Sequence, residues 1–116
     1  MGKRIRIISP KVTMQAVLNG SETAEKVWGI LPCDSKARLY GDEVYFEVPL
    51  EMGEEDAQPQ VPSGTIAYWP PGKCLCIFFG QTPASPVNVV GVLDGDPQEW
   101  AAVEASDEIT VEQAEE

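Results

Sequence analysis

Short stretches that alternate apolar and polar side chains, each closed by glycine or proline, recur along this chain and commit it to a sheet. In residues 3–9, Arg4 and Arg6 fall on one side and Ile5 and Ile7 on the other, the period of two of a half-buried strand. Val12, Met14, Ala16 and Leu18 repeat the pattern, and Ser9-Pro10-Lys11 between the two runs predicts a hairpin. Residues 35–39 and 43–48 follow, joined by Tyr40-Gly41-Asp42. In the second of these, Val44, Phe46 and Val48 face one way and Glu43, Tyr45 and Glu47 the other. Residues 65–69, 74–79 and 88–93 read as further strands, and Ile109 and Val111 mark a last one. Pro70-Pro71-Gly72 is a rigid turn.

Two segments break the alternation. Ser21 can cap a helix running to Leu31, because Ala24, Val27, Trp28 and Leu31 form one apolar stripe and Pro32 stops it. Asp96-Pro97-Gln98-Glu99 starts a short second helix, with Asp as cap and Pro at the first helical position, held down by Trp100 and Val103. About eight short strands and one or two short helices predict a mainly β fold, a closed antiparallel barrel, since closure removes exposed edges. A length of 116 residues fits one domain, placed at residues 1–112, with 113–116 as an acidic frayed tail. The helix is expected across one opening of the barrel.

The charge narrows the partners. Nineteen acidic against eight basic residues give a formal charge of −11. That argues against nucleic acid, which needs a basic patch to neutralise phosphates, and against anionic membranes. The acidic residues at 51–56 and 104–116 read as a solvated loop and a tail. No apolar run approaches the roughly 20 residues of a membrane span. The N-terminal apolar stretch is too short and interrupted for a signal peptide, so a cytoplasmic location is expected. Nothing in the pattern sets an oligomeric state.

Three cysteines, Cys33, Cys74 and Cys76, are an odd number and argue against a disulfide-stapled scaffold. They read as buried thiols rather than as a metal site, which usually recruits four ligands and often histidine; the chain has no histidine. Glu54-Glu55-Asp56 lacks the alternating spacing of a calcium loop. Without histidine, a Ser or Cys nucleophile lacks its usual base. The expectation is therefore no metal and no cofactor.

Several runs, in order, resemble the cyclophilin family. Thr23-Ala24-Glu25-Lys26-Val27-Trp28-Gly29-Ile30-Leu31 is similar to its first helix, Gly64-Thr65-Ile66-Ala67 to the strand before its active-site wall, and Ile77-Phe78-Phe79 to its Gln-Phe-Phe strand. Val89-Val90-Gly91 stands where cyclophilins carry Val-Phe-Gly. The chain resembles still more closely a compact prokaryotic cyclophilin-like branch, through Leu18-Asn19, Thr23-Ala24, Gly41-Asp42-Glu43-Val44-Tyr45-Phe46-Glu47, Ala67-Tyr68-Trp69-Pro70-Pro71-Gly72 and Ile77-Phe78-Phe79-Gly80. The match covers most of residues 3–93.

The resemblance implies a cyclophilin-type barrel and, as partner, a proline-containing peptide held in an apolar pocket on the barrel wall. Arg38, in Ala37-Arg38-Leu39, aligns with the family's catalytic arginine, and Phe79 with its pocket phenylalanine. Elsewhere the pattern departs. Glu43-Val44 and Phe46 stand where cyclophilins place Phe-Met and then Gln, Val87 where they place a pocket His, and the loop supplying their pocket Trp shortens to residues 81–86. Prolyl isomerisation, if carried out, is then expected to be weak and to depend on Arg38.

From the residues alone, the default reading of Arg38 is an exposed strand cation in an acidic protein. Phe78 and Phe79 must point to opposite faces, as must Tyr68 and Trp69. A binding wall of Tyr45, Tyr68 or Trp69, and Phe79 competes with plain packing. Three functions stay open: a module binding a proline-containing peptide or small apolar ligand on that wall, a weak peptidyl-prolyl isomerase using Arg38, and a structural or partner-binding domain without a ligand pocket.

Overall fold

The structure is a computed structural model that describes residues 3–80, 83 and 85–114. Nine strands form one antiparallel sheet: β1 (Arg4–Ile8), β2 (Thr13–Leu18), β3 (Cys33–Lys36), β4 (Arg38–Leu39), β5 (Glu43–Glu47), β6 (Thr65–Trp69), β7 (Cys74–Phe78), β8 (Asn88–Leu93) and β9 (Glu108–Gln113). The helix α1 (Glu22–Gly29) and 3-10 turns at Pro70–Gly72 and Pro97–Ala102 complete the chain. The sheet order is β3-β9-β1-β2-β8-β6-β7-β5-β4.

The two ends of that order, β3 and β4, are consecutive in sequence. The expected strand over residues 35–39 is thus divided at Ala37: its first part pairs with β9, Cys33 opposite Val111, and its second with β5, Arg38 opposite Tyr45. At the break, the Ala37 N–H donates to the Asp107 carbonyl and the Ser106 N–H to the Ala37 carbonyl, both at 2.8 Å. This switch of partner brings the sheet round into a nearly closed barrel with one seam. It also makes nine strands of the expected eight.

Alternation sends one set of side chains inward. Ile5, Ile7, Val44, Phe46, Ile66, Tyr68, Leu75, Ile77, Ile109 and Val111 meet in the barrel interior. Trp100, from the second turn, and Val103 are buried in the same core. Asp96 caps that turn by accepting from the Gln98 N–H at 3.0 Å. The Gln98 side chain donates to the Phe79 carbonyl.

Ser21 caps α1, accepting from the Ala24 N–H at 3.1 Å, and Ala24 and Val27 enter the core. Trp28 is half-buried at the margin, with Lys3 Nζ 5.4 Å from its ring centre. The helix stops at Gly29 rather than Leu31. Ile30 and Leu31 already make tighter bonds to carbonyls three residues back, since a residue before proline is disfavoured in the α region.

At the C-terminus, β9 reaches Gln113, and the Ala114 N–H donates to the Arg4 carbonyl at 2.9 Å. The sheet therefore extends two residues into the stretch read as a tail; residues 115 and 116 lie outside the described residues. No helix among the described residues is long and apolar enough to cross a membrane.

Candidate functional site

The outward face of the wall β5–β7–β6 carries an apolar cluster of its own. Val61, Ala67, Cys76, Phe78 and Val87 are buried there, flanked by half-buried Tyr45, Trp69 and Val89. The segment between β5 and β6 covers part of this face, and Gln58 and Val87 exchange backbone hydrogen bonds at 2.8 and 3.0 Å. Where that cover ends, a concavity of about 210 Å³ opens, lined by Tyr40, Glu43, Tyr45, Trp69, Cys76, Pro83, Ser85 and Val87.

Cross-strand register explains the lining. Side chains directly opposite each other share a face, and the pairs Arg38–Tyr45, Tyr45–Cys76 and Cys76–Ala67 run as one row across the wall. Trp69 is opposite Cys74 in the next row. The rings of Tyr45 and Trp69 lie 6.5 Å apart at 83°. The Trp69 indole N–H donates to Ser85 Oγ at 2.5 Å. Trp69 is thus held by a neighbouring ring and by one hydrogen bond from the 80–87 loop, of which Gln81, Thr82 and Ala84 lie outside the described residues.

The same parity separates the four expected wall residues. Tyr45 and Trp69 line the concavity. Tyr68 and Phe79 do not: both belong to the barrel interior. Tyr68 is fully buried, and its hydroxyl donates to the Leu50 carbonyl at 2.5 Å. Burial is the main cause that pushes its hydroxyl above the ordinary range. Phe79 follows Leu75 and Ile77 inward, while Phe78 takes the outward side. Phe46, aligned with a polar cyclophilin position, also faces inward. Arg38 shares the outward face with Tyr45 but is exposed and stands outside the lining of the concavity.

Six lining residues were not singled out as ligand contacts from the sequence: Tyr40, Glu43, Cys76, Pro83, Ser85 and Val87. Glu43 was legible, because it alternates in phase with Tyr45. Cys76 needs the β5–β7 register, which no local pattern reveals. Burial, together with the adjacent Glu43 carboxylate, pushes the Cys76 thiol far up. Burial likewise raises Cys74 and Cys33. The Cys74 thiol is 3.2 Å from the Gly72 carbonyl. All three thiols are therefore held protonated, which suits packing and opposes nucleophilic or metal-binding roles.

A model of the cyclophilin-like family matches residues 3–112. The chain belongs to the cyclophilin-like family. The solution structure of the hypothetical protein AF2241 from Archaeoglobus fulgidus superposes with a TM-score of 0.82 at 31% identity, covering 97% of this chain and 95% of that one. A structure of McbB in complex with tryptophan superposes with a TM-score of 0.75 at 20% identity, covering 97% of this cyclophilin-like chain but only 45% of the other. That second likeness is one of fold, and this chain spans less than half of McbB's length in that structure. No curated protein matches the sequence.

Proposed function

We propose that this cyclophilin-like chain is a binding module that receives a compact apolar group, such as a proline ring of a peptide, in the concavity beside Tyr45 and Trp69. The supporting observation is the Trp69 ring, half-buried and held in place at the mouth of a concavity floored by Cys76 and Val87. A ring anchored before binding loses little conformational freedom on binding. The volume of about 210 Å³ is below the roughly 300 Å³ at which ordinary ligand pockets begin. It therefore favours a single ring or side chain over an extended ligand. Three unpaired thiols fit a cytoplasmic setting.

Backbone-amide shift mapping with short proline peptides and small apolar rings tests this reading. Shifts should gather on Tyr45, Trp69, Cys76 and Ser85, and Trp69→Ala should weaken binding at least about tenfold, as for a central aromatic anchor. Shifts that avoid this face at millimolar ligand would overturn it.

Weak prolyl isomerisation is the second reading, because Arg38 shares the face and the register row of Tyr45. It requires the guanidinium to reach the amide of a bound proline. A protease-free proline-switch assay on the wild type and Arg38→Ala decides it: activity that survives the substitution rules out Arg38 as the donor.

A further inference from the structure

The concavity is small because part of the same apolar floor is already covered. Cys76 and Val87 floor it, and both also pack with Val61, Ala67 and Phe78. Val61 comes not from the wall but from the segment between β5 and β6. In residues 57–63 of that segment it is the one buried side chain. Val61 therefore fills a position continuous with the opening in which a ligand would sit.

The segment lies on the wall as a bound peptide would. Ala57-Gln58-Pro59-Gln60-Val61-Pro62 holds two prolines and no charge. Gln58 and Val87 form one antiparallel bridge, through backbone hydrogen bonds of 2.8 and 3.0 Å. Pro59 and Pro62 have no N–H to donate, which opposes growth of the bridge into a strand. A main-chain bridge with an apolar side chain seated beside it is how sheets take up extended peptides. The two ends of the segment are fixed. Before it, the Glu55 N–H donates to Asn88 at 3.0 Å; after it, the Gly64 N–H donates to the Phe78 carbonyl at 2.7 Å. Between these points, among the described residues, the Gln58–Val87 pair and the Val61 side chain tie it to the wall. Segments with so few buried apolar contacts open locally at low free energy.

We propose that residues 57–62 are a built-in competitor for this face. An extended peptide binds by displacing them, taking over the Val87 bridge and the Val61 seat and placing a proline in the concavity. This rests on the concavity being a ligand site. With the segment docked, the open part admits a single ring; with the segment displaced, the groove admits a peptide. The segment also sets the class of peptide: an apolar β-branched residue next to a proline. Acidic residues are disfavoured, because the chain carries a net charge of −11. A tethered competitor acts at an effective concentration of about millimolar. The apparent affinity of an external peptide is then reduced by the fraction of molecules in which the face is open.

The test compares two uncharged probes by amide shifts: N-acetylproline methylamide, which needs only the concavity, and a capped hexapeptide copy of residues 57–62. Each is titrated into the wild type and into Val61→Ser, which weakens the resident competitor. The substitution should tighten the hexapeptide about fivefold or more and change the ring probe by less than about twofold. In the wild type, bound hexapeptide should remove hydrogen-exchange protection from the Gln58 amide while the Val87 amide stays protected. This second readout needs no variant and carries the test if Val61→Ser does not fold. An unchanged hexapeptide affinity in folded Val61→Ser would overturn the displacement, as would a Gln58 amide still protected in the bound wild type. Ring-probe shifts at Tyr45 and Trp69 would in either case leave the concavity standing as a site. No shift with either probe would overturn both.

Discussion

Gly72 shows how a single residue can have a different reason from the one its neighbours imply. After Pro70-Pro71 it reads as a turn glycine, yet the left-handed backbone position falls on Lys73, at φ 55°. Gly72 sits beneath the Trp69 ring, and a Cβ there would come within 2.4 Å of Trp69 Cζ3. The substitution Gly72→Ala should push the ring aside, weakening ligand binding several-fold while costing only about 1 kcal/mol of stability, because a ring can move. Titration and urea melts on one variant separate the two effects. Gly91 is the contrast. Its Cβ would lie 2.4 Å from the Val17 backbone carbonyl, and the paired backbone of β2 and β8 cannot yield in the same way. Gly91→Ala should cost about 1–3 kcal/mol in urea melts and leave ligand affinity unchanged in the folded fraction. At this scale the pairing of opposites was legible: Tyr68 against Trp69 and Phe78 against Phe79. Which member faced the core was not, because both sides of β7, Cys-Cys-Phe and Leu-Ile-Phe, are apolar.

At the scale of elements, the acidic loop over residues 51–56 is docked rather than free in solvent. The Glu55 carboxylate accepts from the N–H groups of Glu22 and Thr23 at 3.0 and 2.8 Å and from the Thr23 hydroxyl at 2.6 Å. It thereby satisfies donors at the first turn of α1 that the helix leaves open. The buried Asn88 side chain ties the assembly together: its amide donates to Thr23 Oγ1 and to the Gly53 carbonyl, and its oxygen accepts from the Glu55 N–H. The substitution Thr23→Val should cost about 1–3 kcal/mol, because it removes the partners of buried polar groups. Its readout is the urea midpoint, with Asn88 side-chain resonances reporting the loss directly. The Thr23 hydrogen bonds are the main cause that holds the Glu55 carboxyl below its usual range. Asp107 is lowered too, chiefly by the Glu104 backbone N–H and then by Lys11. A carboxylate with a depressed folded-state value binds fewer protons folded than unfolded. Its stabilisation is complete above the unfolded value, near 4 for these groups, and is lost as pH falls through the folded value. The urea midpoint should therefore drop as pH is lowered from about 5 through 4 and below, and Glu55→Gln should flatten part of that drop. An unchanged slope in Glu55→Gln would show that the docking contributes nothing. The sequence disclosed the acidic run but not its docking, since Glu55 and Thr23 are 32 positions apart.

For the whole molecule, the decisive feature is the seam. Strands β3 and β4 are neighbours in the chain and opposite ends of the sheet, so the barrel is brought together only when the 33–39 segment has found both β9 and β5. Its pairings are distant in sequence: Cys33 with Val111, Leu18 with Gly91. Such non-local pairing places refolding at about milliseconds to seconds in stopped-flow, rather than the microseconds of helical proteins. Ala37→Pro removes the donor to Asp107 at the point where the strand changes partner. It should speed unfolding and lower the urea midpoint; unfolding at the wild-type rate would show that the switch at Ala37 does not hold the barrel closed.

Local information settled a great deal. The period-two alternation identified the strands, with 65–69 and 88–93 matching to the residue, and caps at Ser21 and Asp96 located both helical starts. Those signals depend on a residue and its near neighbours, so they are present in the sequence before any fold forms. The number of short strands pointed to a barrel, and the family motifs to its cyclophilin type. Tertiary structure alone decided which face of the β5–β7–β6 wall turned outward and where Ala37 changes partner. It also brought Glu43, Tyr45, Cys76 and Trp69 to one concavity. Those outcomes depend on strand register and closure, which are set by the burial of the whole core at once and are not encoded in any one segment.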